Sequence, residues 1–455
     1  MTNEIDKTKQ ADRSTARRPN LVFILADDMG WGDLSCYGRP DYTTPNLDKL
    51  AAQGVRLTDC YSGSATCSPT RISFMTGRYP ARHAAGLAEP LLHAMHGSDL
   101  GLEPSFPALP RLLAGAGYKT ALFGKWHCGE PPTFGPLLSG FDEFFGLKST
   151  GAGYYSYRDE HGRFLAQSGS EDIEPPSASA PGRYLTEVIT DKACDFITRQ
   201  HRVQQDKTEP FYLSVHYTAP HWPWETPFDD SEACSERASS TNGGSIAIYA
   251  EMMKSFDHGV GRIMATLSAC GMDADTLVVV TSDNGGERYS YHYPLTGYIR
   301  LLREGGIRVP GIARWSGRIP AGQVSAQTAI TMDWTATFLE AAGARASDAY
   351  PLDGVDLMPV LSAERAPFDR TLFWRTPTQS AVRRGPWKLL HDARSGRSKL
   401  FNLVKDIREY ADFSESHPQV HAELAQAFAE WERTVLPRPE PVVTSPVDGV
   451  DFQIF

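Results

Sequence analysis

Residues 67 to 71 read Cys-Ser-Pro-Thr-Arg, and Thr-Gly-Arg follows at 76 to 78. Ser68 has the side chain of a helix N-cap, and Pro69 suits the first helical position. Gly77 stands where a C-cap glycine belongs. The spacing therefore predicts a short helix from Pro69 to Thr76, with Cys67 just ahead of it. Free backbone N–H groups and the helix dipole favour an anion at that point. Arg71, on the first turn, brings a planar and permanently charged fork towards the same place. The chemistry on offer is an exposed nucleophile facing an oxyanion. A lone cysteine at a helix start is more often a small buried residue than a reactive one, so the residues that join it decide the reading.

Those residues stand at the ends of apolar runs. Asn20 to Ala26 (NLVFILA) has the continuous hydrophobicity of a buried parallel strand and ends in Asp27-Asp28. Thr276 to Ser282 (TLVVVTS) repeats the pattern and ends in Asp283-Asn284-Gly-Gly. Adjacent carboxylates at a buried strand end are costly unless a cation neutralises them. Two strands delivering hard oxygen donors at their carboxyl ends point to one shared site for Ca²⁺ or Mg²⁺. No cysteine or histidine cluster has zinc-ligand spacing. Tyr118 to Phe123 reads as a strand running into Gly-Lys125-Trp-His127, and Phe211 to Tyr217 as one running into Ala-Pro-His221-Trp-Pro. Four strand ends thus carry charged or titratable side chains, as an active site on an α/β sheet requires.

The chain resembles the formylglycine-dependent (type I) sulfatases of the alkaline phosphatase superfamily. The resemblance spans most of residues 19 to 435. It is carried, in the family's order, by DDMGWGD at 27–33, TPNLDKLAAQGV at 44–55, CSPTR at 67–71, TGRYP at 76–80, GKWH at 124–127, GFDEFFG at 140–146, APHWP at 219–223, TSDNGG at 281–286 and EGGIRVP at 304–310. The resemblance implies that a formylglycine-generating enzyme oxidises Cys67 to formylglycine. It implies that Asp27, Asp28, Asp283 and Asn284 hold a divalent metal together with the formylglycine oxygen at 67, with Ca²⁺ first and Mg²⁺ or Mn²⁺ as alternatives. Arg71 would steady the hydrated aldehyde, Lys125 and His127 would surround the sulfate and the formylglycine hydroxyls, and His221 would protonate the leaving oxygen. The implied reaction is hydrolysis of a small-molecule sulfate monoester to inorganic sulfate and an alcohol or phenol.

Two positions depart from the family pattern. Sulfatases usually place a lysine five residues before the glutamate of EGG, where it contacts sulfate; here that position is Ile299, within GYIRLLREGG. Either Arg300 or Arg303 supplies the cation from a shifted position, or the site is less positive. A less positive site favours an alternative, hydrolysis of phosphodiesters or phosphonate monoesters with the same formylglycine. A second alternative is a non-catalytic anion binder. The histidine usual shortly before GFD is also absent, since residues 135 to 139 read GPLLS. Aromatic residues crowd three loops (Tyr154, Tyr155 and Tyr157; Trp222 and Trp224; Tyr289, Tyr291 and Tyr293), placed either to stack on a substrate or to pack the loops.

Alternating strand and helix patterns predict an α/β fold with a large, mostly parallel sheet sandwiched by helices, alkaline phosphatase-like. Residues 1–18 read as a disordered tail, 19–365 as the catalytic domain, 366–435 as a small α+β subdomain and 436–455 as a C-terminal tail. In the subdomain TLFWR, QSAVRR, PWKLL and KLFNL predict short antiparallel strands, and 417–434 a covering helix. Residues 165–182 and 229–245 read as loops. The tail ends in Val-Asp-Phe-Gln-Ile-Phe, an apolar terminus suited to docking on its own chain or on a second copy as a homo-oligomer. A net charge of −10 argues against nucleic acid as a partner. No apolar run is long enough to span a membrane. The absence of an h-region near the start and an odd count of seven cysteines predict a cytoplasmic, reduced setting.

Overall fold

The computed structural model describes residues 18–175, 182–206, 209–229 and 243–439. The disordered tail and the C-terminal docking segment expected from the sequence lie outside these residues, apart from Arg18 and residues 436–439, as does most of the 229–245 loop. The strands of the main sheet are β1 (Asn20–Asp27), β2 (Val55–Tyr61), β3 (Lys119–Gly124), β4 (Glu143–Leu147), β5 (Ala166–Ser168), β6 (Glu171–Asp172), β7 (Phe211–Pro220), β8 (Thr276–Ser282), β9 (Arg308–Arg314), β10 (Gln323–Ser325) and β11 (Ala329–Ile330). Their order is β10-β2-β9-β8-β1-β7-β3-β4-β5-β6, with β11 also on β2. The strands β8, β1, β7, β3 and β4 run parallel, and β9 is antiparallel to both of its neighbours.

Every residue of β1 is buried, because helices cover both faces of the sheet. The pleat divides its side chains by parity. Val22, Ile24 and Ala26 join one core with α1 (Pro45–Ala52), α4 (Leu185–Asp206) and α5 (Ile246–Ala269). Leu21, Phe23 and Leu25 join a second core with α2 (Cys67–Thr76), α3 (Leu109–Gly115) and α6 (Thr331–Ala342). Phe23 stacks on Phe74 of α2 with ring centroids 3.8 Å apart. That contact locks α2 over the middle of the sheet, and each such buried side chain contributes about 1.5–3 kcal/mol of transfer free energy.

The C-terminal region forms a second sheet of β12 (Thr371–Arg375), β13 (Gln379–Arg384), β14 (Trp387–Asp392) and β15 (Ser398–Asn402), antiparallel in chain order. One face carries Leu372, Trp374 and Leu390 against Tyr61, Ile330 and Met332 of the main body. The other carries Val382, Leu389 and Leu400 against Leu424 of α7 (Pro418–Glu432).

Two local expectations change. The stretch 165–182 contains the short strands β5 and β6, which pair with the edge of β4 and with each other. The helix expected from Pro69 begins at Cys67, and Thr66 occupies the N-cap position with extended backbone angles and no side-chain cap bond. Ser68 is therefore inside the helix, and its Oγ accepts a hydrogen bond from the Leu91 N–H at 2.6 Å. Gly77 closes the helix as expected, at φ +67°, with its N–H donating to Ser73 O.

Candidate active site

The register of the parallel strands assembles the site. Ala26 pairs with Ser282, so Asp27-Asp28 and Asp283-Asn284 leave adjacent strands side by side. On the other flank Asp27 pairs with Pro220, which puts His221 next in line. Gly124 pairs with His216, and the Lys125 N–H continues the pairing to His216 O at 2.8 Å. Gly124 has φ +116°, and a Cβ there would stand 1.8 Å from His216 O, so only glycine lets β3 turn at this point. Four strand carboxyl ends thus converge, where ligands bind in open α/β sheets.

The side chains form one closed cluster. Lys125 Nζ bonds Asp27 Oδ2 at 2.7 Å, and Arg71 bonds Asp283 Oδ2 through Nη2 at 2.7 Å and Nε at 3.0 Å. Arg71 Nη2 also stands 3.4 Å from Asp27 Oδ1. Asn284 Nδ2 donates to Asp28 Oδ1 at 2.6 Å, and the Asp28 N–H donates to Asp283 Oδ1 at 3.2 Å. Cys67 Sγ lies 3.9 Å from Asp28 Oδ1. His221 Nε2 lies 3.7 Å from Asp28 Oδ2, and its Nδ1 donates to Trp222 O. Asp28 takes φ +65° and His127 φ +52°, left-handed backbone that costs a non-glycine residue energy and recurs at functional sites.

Three carboxylates face two cations, all buried. Burial works to raise Asp27, but Lys125, His221 and Arg71 outweigh it and hold Asp27 well below the usual carboxylate range. Asp28 and Asp283 are pushed up to about 7 by burial and by the charge on Asp27. Burial also raises the Cys67 thiol well above its ordinary value. Burial and the nearby Lys125 lower His127 far below an ordinary histidine. Its Nε2 donates to Leu91 O at 2.8 Å, which leaves the buried Nδ1 unpartnered with its lone pair available.

The donor set fits a hard divalent cation. Ligand atoms of Asp27, Asp28, Cys67 and Asp283 all lie within 4.8 Å of one another. Asp27 Oδ1 and Asn284 Oδ1 are buried without a hydrogen-bond partner. Carboxylates raised by mutual repulsion and amide oxygens left unpaired are what a bound cation would satisfy.

Two anticipated residues part company. Arg300 has φ +74°, its N–H donates to Ala65 O at 2.8 Å, and its charge reaches Glu287. Arg303 turns away: Nη1 donates to Glu409 O at 3.0 Å and the guanidinium covers the Phe401 ring, both in the C-terminal subdomain. Ile299 is half-buried, with its N–H on Gly286 O. Tyr154, Tyr155, Tyr157 and Trp224 are packed inside. The Tyr154 hydroxyl donates to Thr218 O and His221 O, so it props the His221 turn from behind. Trp222 stacks on the His221 ring, and Tyr293 stays exposed.

Three further residues belong to the neighbourhood and carry no motif. His216, inside β7, lies against Lys125 O and Arg71. Glu287 follows Asn284 by three positions; burial and Asp28 push it up to about 7 while His221 and Arg300 oppose, and its Oε2 is buried without a partner. Glu89 bonds the hydroxyls of Ser64 and Thr66 just ahead of Cys67. The CSPTR run, the doubled carboxylates and the other strand-end groups were visible in the sequence pattern; these three residues were not.

Comparison with known proteins gives the family of the chain. The Sulfatase family model matches residues 19–344. The N-acetylgalactosamine-6-sulfatase of Rattus norvegicus is 35% identical over 393 residues, covering 81% of this chain and 71% of that protein. The crystal structure of Ps i-CgsB in complex with k-i-k-neocarrahexaose superposes with a TM-score of 0.82 at 27% identity, over 96% of this chain and 97% of the other. The PsFucS1 sulfatase from Pseudoalteromonas sp. gives a TM-score of 0.76 at 28% identity, over 94% and 93%. The chain belongs to the sulfatase family, as a type I sulfatase of the alkaline phosphatase superfamily and a sulfuric ester hydrolase.

Proposed function

We propose that the chain cleaves sulfate monoesters at the cluster around Asp28 with an oxygen nucleophile made from Cys67, releasing sulfate and an alcohol or phenol. The observation that carries this reading is where residue 67 sits. Cys67 stands at the start of α2, 3.9 Å from Asp28 and among the donor atoms of the carboxylate cluster, and burial pushes its thiol well above its ordinary value. A protonated thiol is a poor nucleophile, so a side chain held in this position acts only once it is altered. Oxidation to formylglycine supplies hydroxyls at position 67 when the aldehyde is hydrated. Asp27, Asp28, Asp283 and Asn284 would hold a hard divalent cation, Ca²⁺ first and Mg²⁺ or Mn²⁺ after it, which supplies Lewis acidity to the sulfuryl oxygens.

The chain's own residues do the rest. Arg71 fixes Asp283 and Asp27 and keeps positive charge beside position 67. Lys125, paired with Asp27, presents its ammonium to the charge that grows on the sulfuryl oxygens. His127 offers its Nδ1 lone pair to a hydroxyl at position 67. His221, turned by its Nδ1 bond to Trp222, directs Nε2 at the leaving oxygen and donates a proton there. Arg300 stands at the edge of the site and draws the anionic substrate in.

Elemental analysis of the mature protein, with turnover of 4-nitrophenyl sulfate before and after exhaustive chelation, tests this. The expected result is a single equivalent of a hard divalent cation, with Asp283→Ala losing both the cation and turnover. Stoichiometric zinc, or undiminished turnover after chelation, contradicts it. Faster cleavage of the matching phosphate diester than of the sulfate would move the function to phosphodiester hydrolysis.

A further inference from the structure

Between α2 and β3 the chain crosses the first turn of α2 as a strap, Glu89-Pro90-Leu91. Glu89 is half-buried as a residue, with its carboxyl group turned inward. The Ser64 hydroxyl lies 2.7 Å from Oε1 and 3.0 Å from Oε2, and the Thr66 hydroxyl bonds Oε2. Two residues on, the Leu91 N–H donates to Ser68 Oγ at 2.6 Å and Leu91 O accepts from His127 Nε2 at 2.8 Å. The strap therefore grips residues 64, 66 and 68 around position 67, and it also fixes the His127 tautomer. Thr66 pays for this contact locally: at the N-cap its hydroxyl would ordinarily cap α2, and here it makes no cap bond.

We propose that Glu89 is a positioning residue for the nucleophile at position 67, acting through its bonds to the Ser64 and Thr66 hydroxyls on either side of the turn that leads to it. The proposal rests on the reading that position 67 supplies the nucleophile for an anionic sulfate ester. Burial pushes the Glu89 carboxyl up to about 8, with the Thr66 and Ser64 hydroxyls opposing the rise. Titratable groups near the strap are Cys67 on α2, His127 after β3, and His93, Glu130 and Lys148, which line one cavity with Leu91, and none of them sets its value. In the folded chain Glu89 thus holds its proton well above the ordinary glutamate range, starting from 4.5. The stability it contributes is full below that ordinary value and is lost as the pH rises through about 8. Ionised, it would add a negative charge beside an anion site already lined by three carboxylates, and substrate binding would weaken.

The test is the pH profile of kcat/KM on 4-nitrophenyl sulfate for wild type, Glu89→Gln and Glu89→Ala, from about pH 6 to about pH 10. Glutamine is the neutral isostere of the protonated acid and keeps an acceptor for the two hydroxyls. Wild type should lose about tenfold per pH unit above about pH 8. Glu89→Gln should keep most of the neutral-pH activity and lose this alkaline limb. Glu89→Ala should lower kcat about tenfold or more at neutral pH with KM little changed and the fold intact by circular dichroism. A thermal-shift titration with inorganic sulfate reads the same limb without turnover. An alkaline limb that persists in Glu89→Gln, or an unchanged kcat in Glu89→Ala, overturns the role of Glu89. A wild type that binds sulfate with this limb but turns over no sulfate ester overturns the functional reading instead.

Discussion

Arg300 has an unusual backbone for a residue so near Cys67. Its φ of +74° is sparsely allowed for any side chain with a Cβ, and the bond from its N–H to Ala65 O pins it two residues before Cys67. Strain of this kind persists where the surroundings over-determine it. Its charge reaches Glu287, which in turn faces Asp28 and His221. Arg303, three residues on, is committed to Glu409 and Phe401. Arg300→Ala should therefore lower kcat/KM for a sulfate ester about tenfold, less than the loss of a fully enclosed oxyanion contact, because the side chain is exposed. Arg303→Ala should leave kcat/KM within about twofold. Steady-state kinetics of the two variants side by side decide this, and equal losses would place Arg303 at the site as well. The sequence made Asp27, Asp28, Asp283, Asn284, Lys125, His127 and His221 legible because each follows an apolar strand. Glu89 and Glu287 stand on irregular segments, where no periodicity says which way a side chain turns.

Among the elements, α2 and the segment before β9 do most to place the chemistry, and each is held from outside. Phe74 anchors α2 on Phe23, while the strap through Glu89 and Leu91 holds its first turn. The helix begins two residues earlier than a Ser-Pro start suggests, with the Ser68 hydroxyl taken by the Leu91 N–H and so not used as a cap. Glu304, at the head of EGG, is fixed by Lys388 of β14 at 2.9 Å, and the same ammonium bonds Glu409 at 2.9 Å, all three fully enclosed. Arg308 and the Tyr61 hydroxyl complete the bonds to Glu304. The C-terminal sheet thus positions the segment that carries Ile299 and Arg300. Removing the shared cation leaves buried Glu409 without it and Glu304 leaning on Arg308 and the Tyr61 hydroxyl, so Lys388→Met should cost about 3–5 kcal/mol in chemical denaturation. A loss below about 1 kcal/mol would mean that these carboxylates find water or protons instead. The four short strands of this sheet were readable almost to the residue from alternation and turn signals. The reversed direction of β9 and the strands β5 and β6 were not, since direction depends on the path of the connections.

At the scale of the molecule, a parallel sheet covered on both faces leaves one edge of strand ends open to chemistry, and the small sheet buttresses that edge. The three-layer architecture followed from continuous apolar runs alternating with amphipathic stretches. No helix among the described residues is long and apolar enough to cross a membrane. The whole assembly brings a buried thiol against three carboxylates and two cations, the arrangement behind our proposal of an oxygen nucleophile at position 67. The most direct measurement is the mass of the peptide containing Cys67, taken from preparations whose sulfate ester turnover is measured in parallel. The account predicts an aldehyde in place of the thiol, with turnover proportional to the converted fraction and absent in Cys67→Ala. A fully active preparation in which that peptide carries only the unmodified thiol would contradict it.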